Sequence, residues 1–72
     1  MTLVGEYFNK KSVSKAEIAR KTGISKARLS ELSNNPNTHI RATELYLIAL
    51  AIDADPTEFL NFVCKDLKLL ES

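Results

Sequence analysis

With 72 residues, of which 44% are hydrophobic, and a net charge of only +1, the chain is one small folded domain with a thin core. Its single cysteine, Cys64, excludes an internal disulfide, and no apolar stretch approaches the length of a membrane span. With 2 Gly, 2 Pro and no β-branched runs, the sequence reads as all-helical. With no basic-then-apolar start to mark a signal peptide, it reads as a soluble cytoplasmic protein.

Five helices are predicted. The first covers residues 3–10, with Thr2 as N-cap and Leu3, Val4, Tyr7 and Phe8 along its apolar side. The second covers 15–22; Ser14 and Glu17 form an S-x-x-E capping box ahead of it, and Gly23 supplies the residue that tolerates positive φ after it. The third covers 26–33, with Ser25 as N-cap and the turn-forming run Asn34-Asn35-Pro36-Asn37 as its stop. The fourth covers 41–52 and is apolar almost all round from Leu45 to Ile52, as suits a helix at the centre of a domain or between two. The fifth covers 56–69: Asp55 as N-cap, Pro56 at the first helical position and Glu58 three residues after the cap agree on its start.

The second and third helices carry the main functional signal. Ala19 is small enough for a close crossing, Gly23 allows a tight reversal, and Ile18, Ile24, Leu29 and Leu32 fill the space beneath. At 100° per residue, Leu29 and Leu32 turn inward with Ser25. Ala27, Ser30, Glu31 and Asn34 take the opposite face, with Lys26 and Arg28 on its flanks. Short side chains permit close approach to a duplex, and long cations reach phosphates or guanine edges. The plain alternative is a helical hairpin inside a bundle, with Glu31 as a solvated residue that repels phosphate.

The charges are unevenly placed. Residues 1–38 hold seven bases against three acids, and residues 39–72 hold three bases against six acids. Such a division either turns a basic half towards a polyanion or merely covers solvated helix faces.

In Ser14-Lys15-Ala16-Glu17-Ile18-Ala19, in Thr22-Gly23-Ile24-Ser25-Lys26-Ala27-Arg28-Leu29-Ser30-Glu31-Leu32, and in the Leu-x-x-Ile-Ala-x-Ala core of the fourth helix, the chain resembles the phage-repressor-like, Cro/XRE-type helix-turn-helix family. The resemblance implies a compact five-helix lambda-repressor-like fold and a bacterial or phage-type transcriptional regulator that binds double-stranded DNA. It further implies that the third helix enters the major groove. Base contacts would then come from Lys26, Ala27 and Glu31, to which the outward face and its flank add Ser30 and Arg28. Backbone contacts would come from Lys15, Ser25, Asn35, Asn37, Thr38, His39 and Arg41. The chain departs from the family in having Lys15 where Gln is common, and neutral Ser33 opposite Phe8 where a charged pair is common. Its loop after the third helix is also poorer in cations.

Two apolar stripes on the fifth helix exceed what one small core can cover. A homodimer interface is therefore expected at Phe59, Phe62, Val63, Leu69 and Leu70, serving a palindromic operator. An antitoxin-like role, with this helix masking a protein partner, is the competing reading. No catalytic arrangement, cofactor motif, metal cluster or small-molecule effector site emerges, and Cys64 reads as a buried small hydrophobe.

Overall fold

Ten buried hydrophobic side chains among the described residues decide how the helices meet: Val4, Tyr7, Phe8, Ile18, Leu29, Leu32, Leu45, Ile48, Ala49 and Phe59. The computed structural model describes residues 1–70, which hold α1 (Leu3–Lys11), α2 (Lys15–Thr22), α3 (Lys26–Asn34), α4 (Ala42–Ala51) and α5 (Pro56–Val63). α1 packs on α3 and α5, α2 on α3 and α4, and α4 on α5, so the five helices close a ring around one core. No helix among the described residues is long and apolar enough to cross a membrane.

The helix starts follow the sequence signals. Thr2 accepts from the Gly5 N–H at 3.1 Å, Ser14 from Glu17 at 3.4 Å, Ser25 from Arg28 at 3.1 Å and Asp55 from Thr57 at 2.9 Å. Neither expected capping box closes: Ser14 takes the Glu17 N–H as expected, but Asp55 takes that of Thr57 and not of Glu58. Glu17 turns instead to Arg20, and Glu58 turns to Tyr7 and Lys11 on α1. At α4 the Arg41 N–H donates to Glu44 at 2.9 Å, which fixes a start that the sequence marks poorly.

α1 is joined to α3 by hydrogen bonds and, among the described residues, not by an ion pair. The Thr2 hydroxyl donates to the Leu32 carbonyl at 2.6 Å, and the Thr2 N–H donates to the Ser33 carbonyl at 2.9 Å. The helices come so close here that a Cβ on Gly5 would overlap the Ser33 carbonyl oxygen. Ser33 itself is buried, with its hydroxyl donating to the Leu29 carbonyl at 2.8 Å. The α1–α5 contact is aromatic: Tyr7 stacks on Phe59 at 4.7 Å between ring centroids, and its hydroxyl donates to Glu58 at 3.0 Å. Burial, helped by the Glu58 carboxylate, pushes the Tyr7 phenol up to about 12.

Two expectations need correction. α5 ends at Val63, six residues earlier than the apolar pattern suggests. Phe59 is the last fully buried side chain, the Cys64 N–H closes the helix on the Leu60 carbonyl at 3.0 Å, the Lys65 N–H takes the Phe62 carbonyl at 3.3 Å, and residues 64–66 form a turn. Beyond that point Leu67, Leu69 and Leu70 are exposed, and a short segment without a buried face does not hold a helix. α4 is likewise not wrapped on every side: Leu45, Ile48 and Ala49 point into the core, while Tyr46, Leu47 and Leu50 are exposed.

Candidate nucleic-acid interface

The bend between α2 and α3 is fixed locally. Gly23 has φ +81° and donates its N–H to the Ala19 carbonyl at 2.9 Å. Thr22 reinforces it, donating to the Ile18 carbonyl at 2.7 Å and accepting from the Ile24 N–H at 3.1 Å. Ile18, Leu29 and Leu32 lock both helices to the core, so the outer face of α3 has a set direction.

That outer face matches the expectation from helical spacing. Ser25, Lys26, Ala27, Glu31 and Asn34 are exposed and Ser30 is half-buried. The Ser25 oxygen caps α3, which leaves its hydroxyl proton as a donor. Lys15 sits half-buried in the first turn of α2 and borders one shallow hollow with Asn34 from the end of α3. Neither Lys15 nor Lys26 has an acidic partner among the described residues.

Arg28, expected at the bases, is engaged by neighbouring protein groups. Its guanidinium grips the Glu44 carboxylate with Nε and Nη2, each at 2.9 Å, and Nη2 also donates to the His39 carbonyl at 3.0 Å. The Glu44 side chain is only 11% exposed. Its forked bond from Arg28, with a further bond from the Arg41 N–H, overrides the cost of burial and holds the carboxyl down at about 2. The same pairing raises the Arg28 pKa. Glu44 is the residue that sequence reasoning missed. Its signal was an acid at the head of an otherwise apolar helix, which calls for a cation nearby.

Glu31 is also engaged. It accepts from the Asn35 side-chain amide at 3.0 Å and, more weakly, from the Thr38 hydroxyl at 3.4 Å. Asn35 in turn accepts the Asn37 N–H at 2.9 Å and, through its carbonyl, the Thr38 N–H at 3.0 Å. The loop after α3 is therefore a set turn whose tip, at Pro36, Asn37 and His39, is exposed together with Arg41.

A solvent-facing second helix, set at a glycine bend on a five-helix ring, is the geometry of a helix-turn-helix. Comparison with known families decides the matter: the model of the Cro/C1-type helix-turn-helix DNA-binding domain matches residues 6–65. The chain belongs to that family. Among curated proteins and among solved structures, nothing matches. In this Cro/C1-type domain α3 occupies the place of the recognition helix. Of the residues expected at the bases, Lys26 and Ala27 stand fully outward with Ser30 beside them, whereas Arg28 and Glu31 are tied to neighbouring protein groups.

The expected dimer residues divide as well. Phe59 is fully buried and belongs to the core, so it is unavailable to a second chain. Phe62 and Val63 are half-buried against that core, while Leu69 and Leu70 lie exposed beyond the end of α5.

Proposed function

We propose that the chain is a sequence-specific transcriptional regulator of bacterial or phage type, reading the major groove with α3 and acting as a homodimer on a palindromic operator. The observation that carries this reading is the face of α3. Ala27 is exposed at its first turn, Lys26 beside it has no acidic partner among the described residues, and nothing bulky stands between them and solvent. Lys26 suits a guanine edge and Ala27 a thymine methyl. Ser30 lies one helical turn further on.

Lys15 and Ser25, at the two helix N-termini, supply phosphate contacts where the helix dipoles favour negative charge. The exposed loop tip adds Asn37, His39 and Arg41. Asn35 and Thr38 support it from behind through Glu31. Phosphate contacts position the domain and base contacts specify the sequence.

The dimer is supported by apolar side chains that one core leaves uncovered, Tyr46, Leu47, Leu50 and Leu60. Two copies related by a two-fold axis present two reading helices roughly 34 Å apart, one turn of the duplex. Linked half-sites would offset the modest charge of each copy.

The experiment is a mobility shift on random duplexes followed by recovery and sequencing of the bound DNA. We expect a palindromic consensus with two half-sites. Binding that recovers no preferred sequence would reject sequence-specific reading, and sedimentation as a monomer at high micromolar concentration would reject the dimer. Co-purification with an unrelated small protein would favour the masking role instead.

A further inference from the structure

Among the described residues, Arg28 is the one cation of α2 and α3 whose side chain is held by a buried acid. We propose that Arg28 is a positioning residue: it fastens the loop 35–41 to the reading helix and acts on DNA through that loop, not by meeting a base. The proposal rests on α3 being the DNA-facing helix.

The geometry is a clamp with two attachments. The forked bond to Glu44 joins α3 to the first turn of α4, and the bond to the His39 carbonyl joins α3 to the loop directly. Glu44 Oε1 also takes the Arg41 N–H, so the last loop residue is fixed through the same carboxylate. At the other end of the loop, Asn35 and Thr38 donate to Glu31, which lies one helical turn beyond Arg28 on α3. Side chains of the reading helix thus hold both ends of the segment that carries His39 and Arg41.

Two physical consequences follow. A loop already ordered in the free protein has less freedom to lose when it docks on phosphates. An Arg28 that swung out to a guanine would strand the Glu44 charge in a largely buried site, a costly exchange. The guanidinium fork also matches the carboxylate in a way that a lysine ammonium cannot.

Glu44→Gln separates the two roles by sign. Glutamine keeps an oxygen for the Arg41 N–H but loses the charge. If Arg28 were a base reader, freeing it and removing a negative charge would tighten DNA binding. As a positioning residue, Arg28 loses its anchor in E44Q and the loop is held in place for a smaller fraction of the time. The binding loss is then roughly tenfold if about a tenth of the population stays competent. We expect that loss on every duplex alike, with the recovered consensus unchanged, and the same pattern for Arg28→Ala.

Amide hydrogen exchange on the free protein gives a readout independent of DNA. The Thr38 and Arg41 amides should exchange faster in both variants, while the Leu29 and Ile48 amides stay slow and report an intact core. Tighter DNA binding by E44Q, or an R28A consensus relaxed at a single base pair, would overturn the proposal. Loop amides that exchange no faster in either variant would overturn the clamp itself. Wild-type protein that binds no duplex while its loop amides are protected, and lose that protection in E44Q, would reject the DNA reading and leave the clamp standing.

Discussion

Replacing Gly5 with alanine sets two ordinary effects against each other. Gly5 lies in α1, where alanine is favoured over glycine by about 1 kcal/mol. The new Cβ would overlap the Ser33 carbonyl oxygen and the Met1 side chain. Met1 is 72% exposed and can swing aside. The Ser33 carbonyl cannot, because it belongs to the backbone of α3 and also accepts the Thr2 N–H at 2.9 Å. Relief requires α1 and α3 to separate. Overpacking of this kind costs about 1–3 kcal/mol, and straining the Thr2–Ser33 bond adds about 1 kcal/mol. Less the gain in propensity, the net loss is roughly 1–3 kcal/mol, or roughly 5–20 °C in melting temperature for a domain this small. Thermal and urea melts followed by circular dichroism measure it. Gly23→Ala is the control: its Cβ meets nothing within 4 Å, so only the φ of +81° opposes it, at about 1 kcal/mol. Gly5→Ala melting at or above the wild-type temperature would refute the close α1–α3 crossing.

Three further outcomes are expected. Glu44 is held at about 2 against an ordinary 4.5, so its contribution is fully present above pH 4.5 and disappears as the pH falls towards 2. Allowing for the solvent that still reaches Arg28, that contribution is roughly 2 kcal/mol, and acid melts of E44Q should lack this part of the wild-type decline. Tyr7 is shifted the opposite way: the fold favours its neutral phenol, so stability present below pH 10.0 is lost as the pH rises towards 12. An absorbance titration of Tyr46→Phe, which leaves Tyr7 as the sole tyrosine, should have its midpoint near 12, and an intact fold titrating at 10.0 would contradict the burial. Lys15→Ala should weaken binding to all duplexes alike and reduce the slope of log affinity against log salt by about 1, which anisotropy titrations at several salt concentrations would show. An unchanged slope would remove Lys15 from the phosphate contacts.

The fold was legible where a local rule controls a local outcome. Thr2, Ser14, Ser25 and Asp55 cap the helices they precede, and Gly23 takes the left-handed turn. The inward turn of Leu29 and Leu32, and with it the exposure of Ala27, follows from helical spacing alone. What the sequence hid depends on partners distant in the chain. The apolar pattern runs on to Leu69, but α5 stops at Val63, the last of its side chains packed on the core, and Leu67, Leu69 and Leu70 are exposed. Arg28 looks like a free flank cation until Glu44, sixteen residues on, is folded against it. Glu58 left its capping box for the same reason, since it finds Tyr7 and Lys11 across the ring of helices, whereas Glu17 was drawn away locally by Arg20, three residues on.

The most direct test of the account is Ala27→Glu. Ala27 is exposed on α3, so the substitution leaves the core untouched while placing bulk and negative charge where the duplex is proposed to sit. Anisotropy of a labelled duplex bearing the recovered consensus would compare it with wild type, with circular dichroism confirming an unchanged melt. The account calls for at least roughly a hundredfold loss of affinity, from like-charge repulsion and lost base contact together. Binding of A27E at wild-type strength, with the fold intact, would mean that this face of α3 does not touch DNA.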